Sequence, residues 1–236
     1  MTNNVMLNNV DHQDLRVIGA RGAQYGDQVR SCVTFPLEFR DVQAHYPIVF
    51  SKSEDGVGFE PQALFGLQED ENLYLGPNGW DVPLLPMAME RLPFLIGRTG
   101  NELNVHIDLD SPRVSRTEGE PLFLPYGGSS PYLERIGTLL QTIHDGLSQL
   151  PAFIAALVEH ELLESFVADI ELADGSSNRL FGYYTINEDR LHKLPGAALE
   201  LLNRDGHLQS IYMVMASLSN FRGLVDRKQR AINARG

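Results

Sequence analysis

At residues 127–131 the chain reads Gly-Gly-Ser-Ser-Pro, and the spacing of apolar residues changes across that point. Upstream, apolar runs are short and separated by turn formers: "LRVI" (15–18), "VRSCVTFP" (29–36), "IVFSK" (48–52), "QALFGL" (62–67) and "NLYL" (72–75). "FLIG" (94–97) and "LNVHIDLD" (103–110) form a further pair around "RTGNE". Such runs, bounded by Gly, Pro and Asn, predict strands, with tight turns at Asp55-Gly56 and Asn78-Gly79. "LEFRDVQAHY" (37–46) has helical character, and Pro47 ends it. A short helix is predicted between Pro86 and Leu92.

Downstream, the period becomes helical. Ser130 can cap a helix, and Pro131 suits its first turn. Ile136, Leu139, Leu140, Ile143 and Leu147 then share one face. Gly146 weakens the end of that helix, and Pro151 opens a second, with Ile154, Leu157, Val158 and Leu162 on one face. The expectation is a helix pair over 131–165. "FVADIEL" and "RLFGYYTI" predict a hairpin around Asp174-Gly175. "DRLHKL" and "AALELL" predict short helices split by Pro195-Gly196, and a further helix is predicted from about Gln209. This order is not alternating βαβ, so a doubly wound nucleotide fold is not supported. The fold class expected is α+β, with a mixed, mainly antiparallel sheet in the first half and a helix-rich second half. The whole chain, 1–236, reads as one domain, with a possible boundary near 127–130.

The charge balance narrows the partners. Formal net charge is -12, so phosphate backbones and anionic lipid are repelled and nucleic acid is not expected. The basic stretch "FRGLVDRKQRAINARG" is the local exception, as a solvated tail or a last helix. No apolar segment is long enough to cross a bilayer without interrupting charges, and the N-terminus lacks the features of a signal peptide. With Cys32 as the single cysteine, no internal disulfide can form. The expected compartment is the cytoplasm, and Cys32 is expected to be a small strand residue rather than a nucleophile.

Chemistry-bearing patterns are few. His106 and Asp108 stand at positions i and i+2 of an expected strand and so point to one side. With a third ligand they would form the facial site of an Fe(II) oxygenase. His144 and His160 fall in the expected helices, which leaves His192 and His207 for that place. The alternative is a strand whose acidic end turns at Ser111-Pro112. Gly127-Gly128-Ser129-Ser130 could bind an anion at a helix start, or simply hinge and cap it. His160 is followed four residues later by Glu164, so the zinc-protease pattern is absent. The segment "WDVPLLPMAMERLPF" (80–94) carries the lone Trp and two methionines, which suit either an irregular core or an adaptable binding surface.

From this segment outward the chain resembles the bacterial SapC family. The resembling stretches are "HYPIVF" (45–50), "ALFGL" (63–67), "ENLYLGPNGW" (71–80), "LPMAMERLPF" (85–94), "HIDLDSPRV" (106–114) and "EGEPLF" (118–123). They continue with "FGYYTINEDRLHKL" (181–194) and "LLNRDGHLQSIYMVMASLSNF" (201–221). The resemblance implies an accessory role in the modification, handling or uptake of a peptide, surface protein or nutrient, with no catalytic residue assigned. It also implies a basic pair where this chain has Glu90-Arg91, and no fixed His at the position of His106. The leading expectation is therefore a non-catalytic protein without a cofactor. It would bind a protein or peptide through Trp80, Met87, Met89, Arg91 and Phe94, with the 111–130 loop alongside. The rival expectation is the Fe-dependent oxygenase on His106 and Asp108.

Overall fold

A computed structural model describes residues 3–53, 56–99 and 102–234. Asp55 of the expected Asp55-Gly56 turn, the Gly100-Asn101 tip of the 94–110 strand pair, and Arg235 of the basic stretch lie outside those residues.

The largest sheet has the strand order β12 (Leu163–Glu171), β13 (Ser177–Ile186), β4 (Ile48–Lys52), β5 (Phe59–Leu64), β3 (Ser31–Val33). The fold is α+β as expected, and the hairpin expected in the second half extends the first-half sheet. Every described pairing is antiparallel rather than mixed. Ile48, Val49 and Phe50 are all closed to solvent, as a continuous apolar run requires when both faces of a strand are covered. Helix α6 (His207–Ser217) packs against β4 and β13. The Ile48 N–H donates to Ser217 Oγ at 2.8 Å, and that hydroxyl donates to the Val214 carbonyl at 2.6 Å. Helix α1 (Phe39–Val42) is one turn, and the chain continues in turns to Tyr46 rather than as the longer helix expected. Helices α4 (Glu188–His192) and α5 (Gly196–Arg204) follow the hairpin as predicted, and Asn187 caps α4 through the Arg190 N–H at 2.8 Å.

A second apolar cluster lies under a three-stranded sheet, β1 (Asn4–Met6), β9 (Glu102–Asp108), β8 (Phe94–Thr99), in that order. Small pairings surround it: β10 (Val114–Ser115), β2 (Arg16–Val17) and β11 (Glu120–Pro121) form one sheet, and β6 (Leu75–Gly76) pairs with β7 (Gly79–Trp80). Of the strand expected at 72–75, only Leu75 is extended. Asn72 instead folds a turn, its Oδ1 accepting the Tyr74 N–H at 3.0 Å.

Helix α3 (Pro131–Glu159) joins the two clusters. Leu133, Ile136 and Leu140 enter the second cluster, while Phe153 and Leu157 enter the first. Ser130 Oγ accepts the Leu133 N–H at 3.2 Å, so the serine at the glycine-rich junction is a helix cap. The expected helix pair is one helix of 29 residues with Pro151 inside it. A proline in a helix interior costs about 3 kcal/mol. Burial of Ile143 before it and of Phe153 and Leu157 after it contributes about 1.5–3 kcal/mol per side chain. That contribution outweighs the local penalty. Gly146 is not a helix end either: a Cβ there would stand 2.2 Å from the Phe35 ring, so glycine permits a close approach of chain to ring.

The basic C-terminal stretch is a docked helix, α7 (Asn220–Asn233), and not a solvated tail. Lys228, 8% exposed, donates to Gln68 and Glu71, and Arg227 pairs with Asp81 at 2.6 Å and lies over the Tyr74 ring. The acidic loop 68–71 is its counterpart. Among the described residues, no helix is long and apolar enough to cross a membrane.

Candidate functional site

The 80–94 segment starts at a tight turn, since Gly79 at φ 99° turns the chain beneath Arg21. Trp80 follows, half-buried, with its ring edge-on to Phe65 at 5.1 Å. Its indole N–H donates to Tyr46 Oη at 2.7 Å, and that hydroxyl in turn donates to the Leu84 carbonyl. Both polar atoms are therefore used inside the fold. Burial pushes the Tyr46 hydroxyl far above its ordinary pKa and that of neighbouring Tyr74 up to about 12, so neither ionises near neutral pH.

Helix α2 (Met87–Glu90) comes next. Glu38, 3% exposed, accepts the Met87 N–H at 3.1 Å and the Thr34 hydroxyl at 2.7 Å. Its carboxyl pKa is raised, chiefly because burial disfavours the charged form. Met87 is half-buried, Met89 is 4% exposed and Phe94 is fully enclosed. The five residues expected to form one exposed surface therefore do not do so. Proline punctuation concealed an ordinary core stretch, in which Met89 and Phe94 face inward.

Arg91 differs from its neighbours. It is half-buried, and its Nη1 donates to the Phe94 carbonyl at 2.6 Å. Among the described residues its guanidinium pairs with no carboxylate, and desolvation lowers its pKa from the ordinary arginine value. It stands between two recesses. One, of about 400 Å³, is walled by Leu92, Pro93, Leu95 and Pro112, with Asp108 and Asp110 at its rim. The other, of about 300 Å³, lies between β8 and α3 and is walled by Leu95, Ile96, Leu140, Ile143 and Leu147, with His144. Strand β8 borders its sheet on this side.

The first recess also touches Arg113, which the sequence reading passed over. Arg113 is 1% exposed and grips Asp27, itself fully buried, through two oxygens at 2.7 and 2.8 Å. Its Nη1 donates to the Ala20 carbonyl at 2.7 Å and the Ile18 carbonyl at 3.3 Å. Asp27 further accepts the Gly22 N–H at 2.8 Å, and Arg21 approaches it at 3.5 Å while donating to the Met89 carbonyl. Among the described residues the Arg113 Nε has no hydrogen-bond partner. Nothing in the spacing of residues 21, 27 and 113 announces this cluster, because two connections far apart in the chain, 18–30 and 109–113, supply it.

His106 and Asp108 lie on the same side of β9, as the strand period requires. The His106 ring packs across Gly97 so closely that a Cβ there would be 2.1 Å from Nε2, and among the described residues Nε2 has no hydrogen-bond partner. Asp108 Oδ1 accepts the backbone N–H groups of Asn3 at 3.1 Å and Asp110 at 3.2 Å, closing the turn after β9. The distal histidines weighed as a third ligand, His192 and His207, sit in α4 and α6. Among the described residues no group of three His, Cys, Asp or Glu side chains is placed to hold a metal. Cys32 is a half-buried residue of β3, and burial pushes its thiol well above the ordinary pKa, which favours the protonated form.

The SapC family model matches residues 7–224, nearly the whole chain, and the chain belongs to that family. No curated protein and no solved structure matches it.

Proposed function

We propose that this SapC-family chain is a non-catalytic cytoplasmic accessory protein that holds a segment of a partner polypeptide beside β8, with Arg91 as the polar contact. The observation that carries this reading is the Arg91 guanidinium itself, held between two apolar-walled recesses with no carboxylate partner among the described residues. A desolvated guanidinium keeps most of its donors free and favours a planar, two-oxygen acceptor. The apolar walls on either side suit aliphatic neighbours of that acceptor. The ligand that fits is an acidic residue flanked by apolar ones, in an extended chain alongside an edge strand. Phe94, enclosed in the fold, holds the Arg91 guanidinium through its carbonyl, while Trp80 and Met89 pack in the core and Met87 is half-buried. The accessory role in handling, modification or uptake of a peptide, surface protein or nutrient rests on family membership. A net charge of -12 disfavours nucleic acid as the partner.

Fluorescence polarisation with labelled peptides tests this. A Leu-Asp-Leu core should bind about tenfold or more tightly than Leu-Asn-Leu, and Arg91→Gln should abolish the difference. Equal affinity for the two peptides in the wild-type chain would overturn the reading. Anaerobic loading with Fe(II) tests the rival. About one retained iron per chain, lost in His106→Ala, would replace the accessory reading with the oxygenase one.

A further inference from the structure

A recess of about 290 Å³ opens where the start of α6 meets the Gln149–Phe153 stretch of α3 and the turn leading into α1. It shares no residue with the recesses beside Arg91. Gly206, at φ 79°, feeds the chain into α6 and supplies no side-chain cap. A helix start leaves its first N–H groups without intrahelical acceptors, and the helix dipole makes that end electropositive.

A second observation points independently to a ligand. Ser210 lines this recess and is 8% exposed, yet its hydroxyl has no hydrogen-bond partner among the described residues. Other helical hydroxyls do find one: Ser217 donates to Val214 and Thr138 to Glu134. Arg40 lines the same recess and pairs with no carboxylate among the described residues. Asp205, also at the rim, is engaged by Arg204 at 3.1 Å. The donor set is thus two or three backbone N–H groups, one hydroxyl and one guanidinium, which suits a tetrahedral oxyanion. Phe153 and Met213 form an apolar wall on the other side. Free inorganic anion would have no use for that wall, whereas the carbon portion of an ester would.

We propose that this recess binds a small phosphomonoester, with its phosphoryl oxygens on the α6 N–H groups, Ser210 and Arg40, and its carbon portion against Phe153 and Met213. The test is titration of the full chain with phenyl phosphate and, separately, inorganic phosphate, at ionic strength fixed with chloride. Backbone amide NMR provides the readout. Phenyl phosphate should give saturable shifts centred on 206–210, with affinity about threefold or more above that of inorganic phosphate. Arg40→Gln should weaken it about tenfold and Ser210→Ala about threefold, with circular dichroism unchanged for both. Arg40 is exposed and Ser210→Ala only removes an oxygen, so both variants should fold. Absence of saturation, shifts scattered over the chain, or an unchanged affinity in Arg40→Gln would overturn the proposal. Inorganic phosphate binding as tightly as the ester would overturn the ester assignment.

Discussion

Two arginines border the same recess and do opposite things. Arg113 is enclosed, spends its terminal donors on Asp27 and on two backbone carbonyls, and ties its own loop to the 18–30 connection. Arg91 is half-open and makes one hydrogen bond, to a carbonyl three residues on. A buried arginine whose two terminal nitrogens are both engaged holds the fold in place, while one with terminal donors left over is available to something outside it. The same contrast separates Trp80 from Arg91 within a single segment. The aromatic residue that drew notice in the sequence is consumed by Tyr46 and Phe65, and the less conspicuous arginine is not.

The contrast is most severely tested at the buried pair. Arg113→Met removes the two-oxygen partner of the enclosed Asp27 and leaves it only Arg21 at 3.5 Å for an ion pair, and stability should fall by about 3 kcal/mol. Urea unfolding followed by tryptophan fluorescence measures this. In the double variant Asp27→Asn/Arg113→Met the stranded charge is gone, so much of the loss should return. If the single and double variants lose equally, the pair is not what holds the two loops.

A smaller effect is expected from Gly146→Ala. The methyl group meets the Phe35 ring, and overpacking should cost about 1–3 kcal/mol despite the better helix propensity of alanine. A rise in melting temperature would show that α3 can shift there, and that its rigid link between the two clusters is overstated.

Next comes Trp80→Phe, which keeps the ring packing and removes the indole donor to Tyr46. A loss of about 1 kcal/mol is expected. Arg91→Gln should cost less than that, because a partly exposed side chain gives up one hydrogen bond. If Arg91→Gln proves as damaging as Arg113→Met, the two arginines do not differ in kind and the binding reading loses its basis.

The mildest test is Glu38 and pH. Its folded pKa is raised, so the folded state holds this proton more tightly than the unfolded state does. The resulting stabilisation is fully present below the ordinary glutamate range and is lost as pH rises through the raised folded value. Glu38→Gln should flatten that part of the stability–pH profile measured by thermal unfolding. A variant profile parallel to wild type would remove Glu38 as its source.

Much of the fold was legible. The 163–186 hairpin followed from strand alternation around Asp174-Gly175, and the 94–108 pair from two apolar runs around a glycine turn. Ser130-Pro131 marked the start of α3 because capping is a local interaction. The misreadings share one cause. Pro151 and Gly146 are local helix-ending signals, and packing on both sides of them overrode the local cost. Residues 72–75 looked like a strand by composition, but Asn72 holds them as a turn beside the aromatic core. The basic C-terminus was ambiguous because its partners, Gln68, Glu71 and Asp81, lie far away along the chain.

The candidate sites divide in the same way. Arg91 could be singled out from its segment, although the company it keeps could not. Asp27 with Arg113 and Glu38 beneath α2 are pairings across loops and helices, Ser210 and Arg40 merely line one recess, and no periodicity encodes any of them. Hydrophobic spacing, turn residues and caps act over a few residues, so the sequence by itself determined the α+β class, the hairpins and the starts of the helices. Which polar groups are satisfied, and which are left facing a recess, depends on long-range packing and was decided only by the tertiary structure.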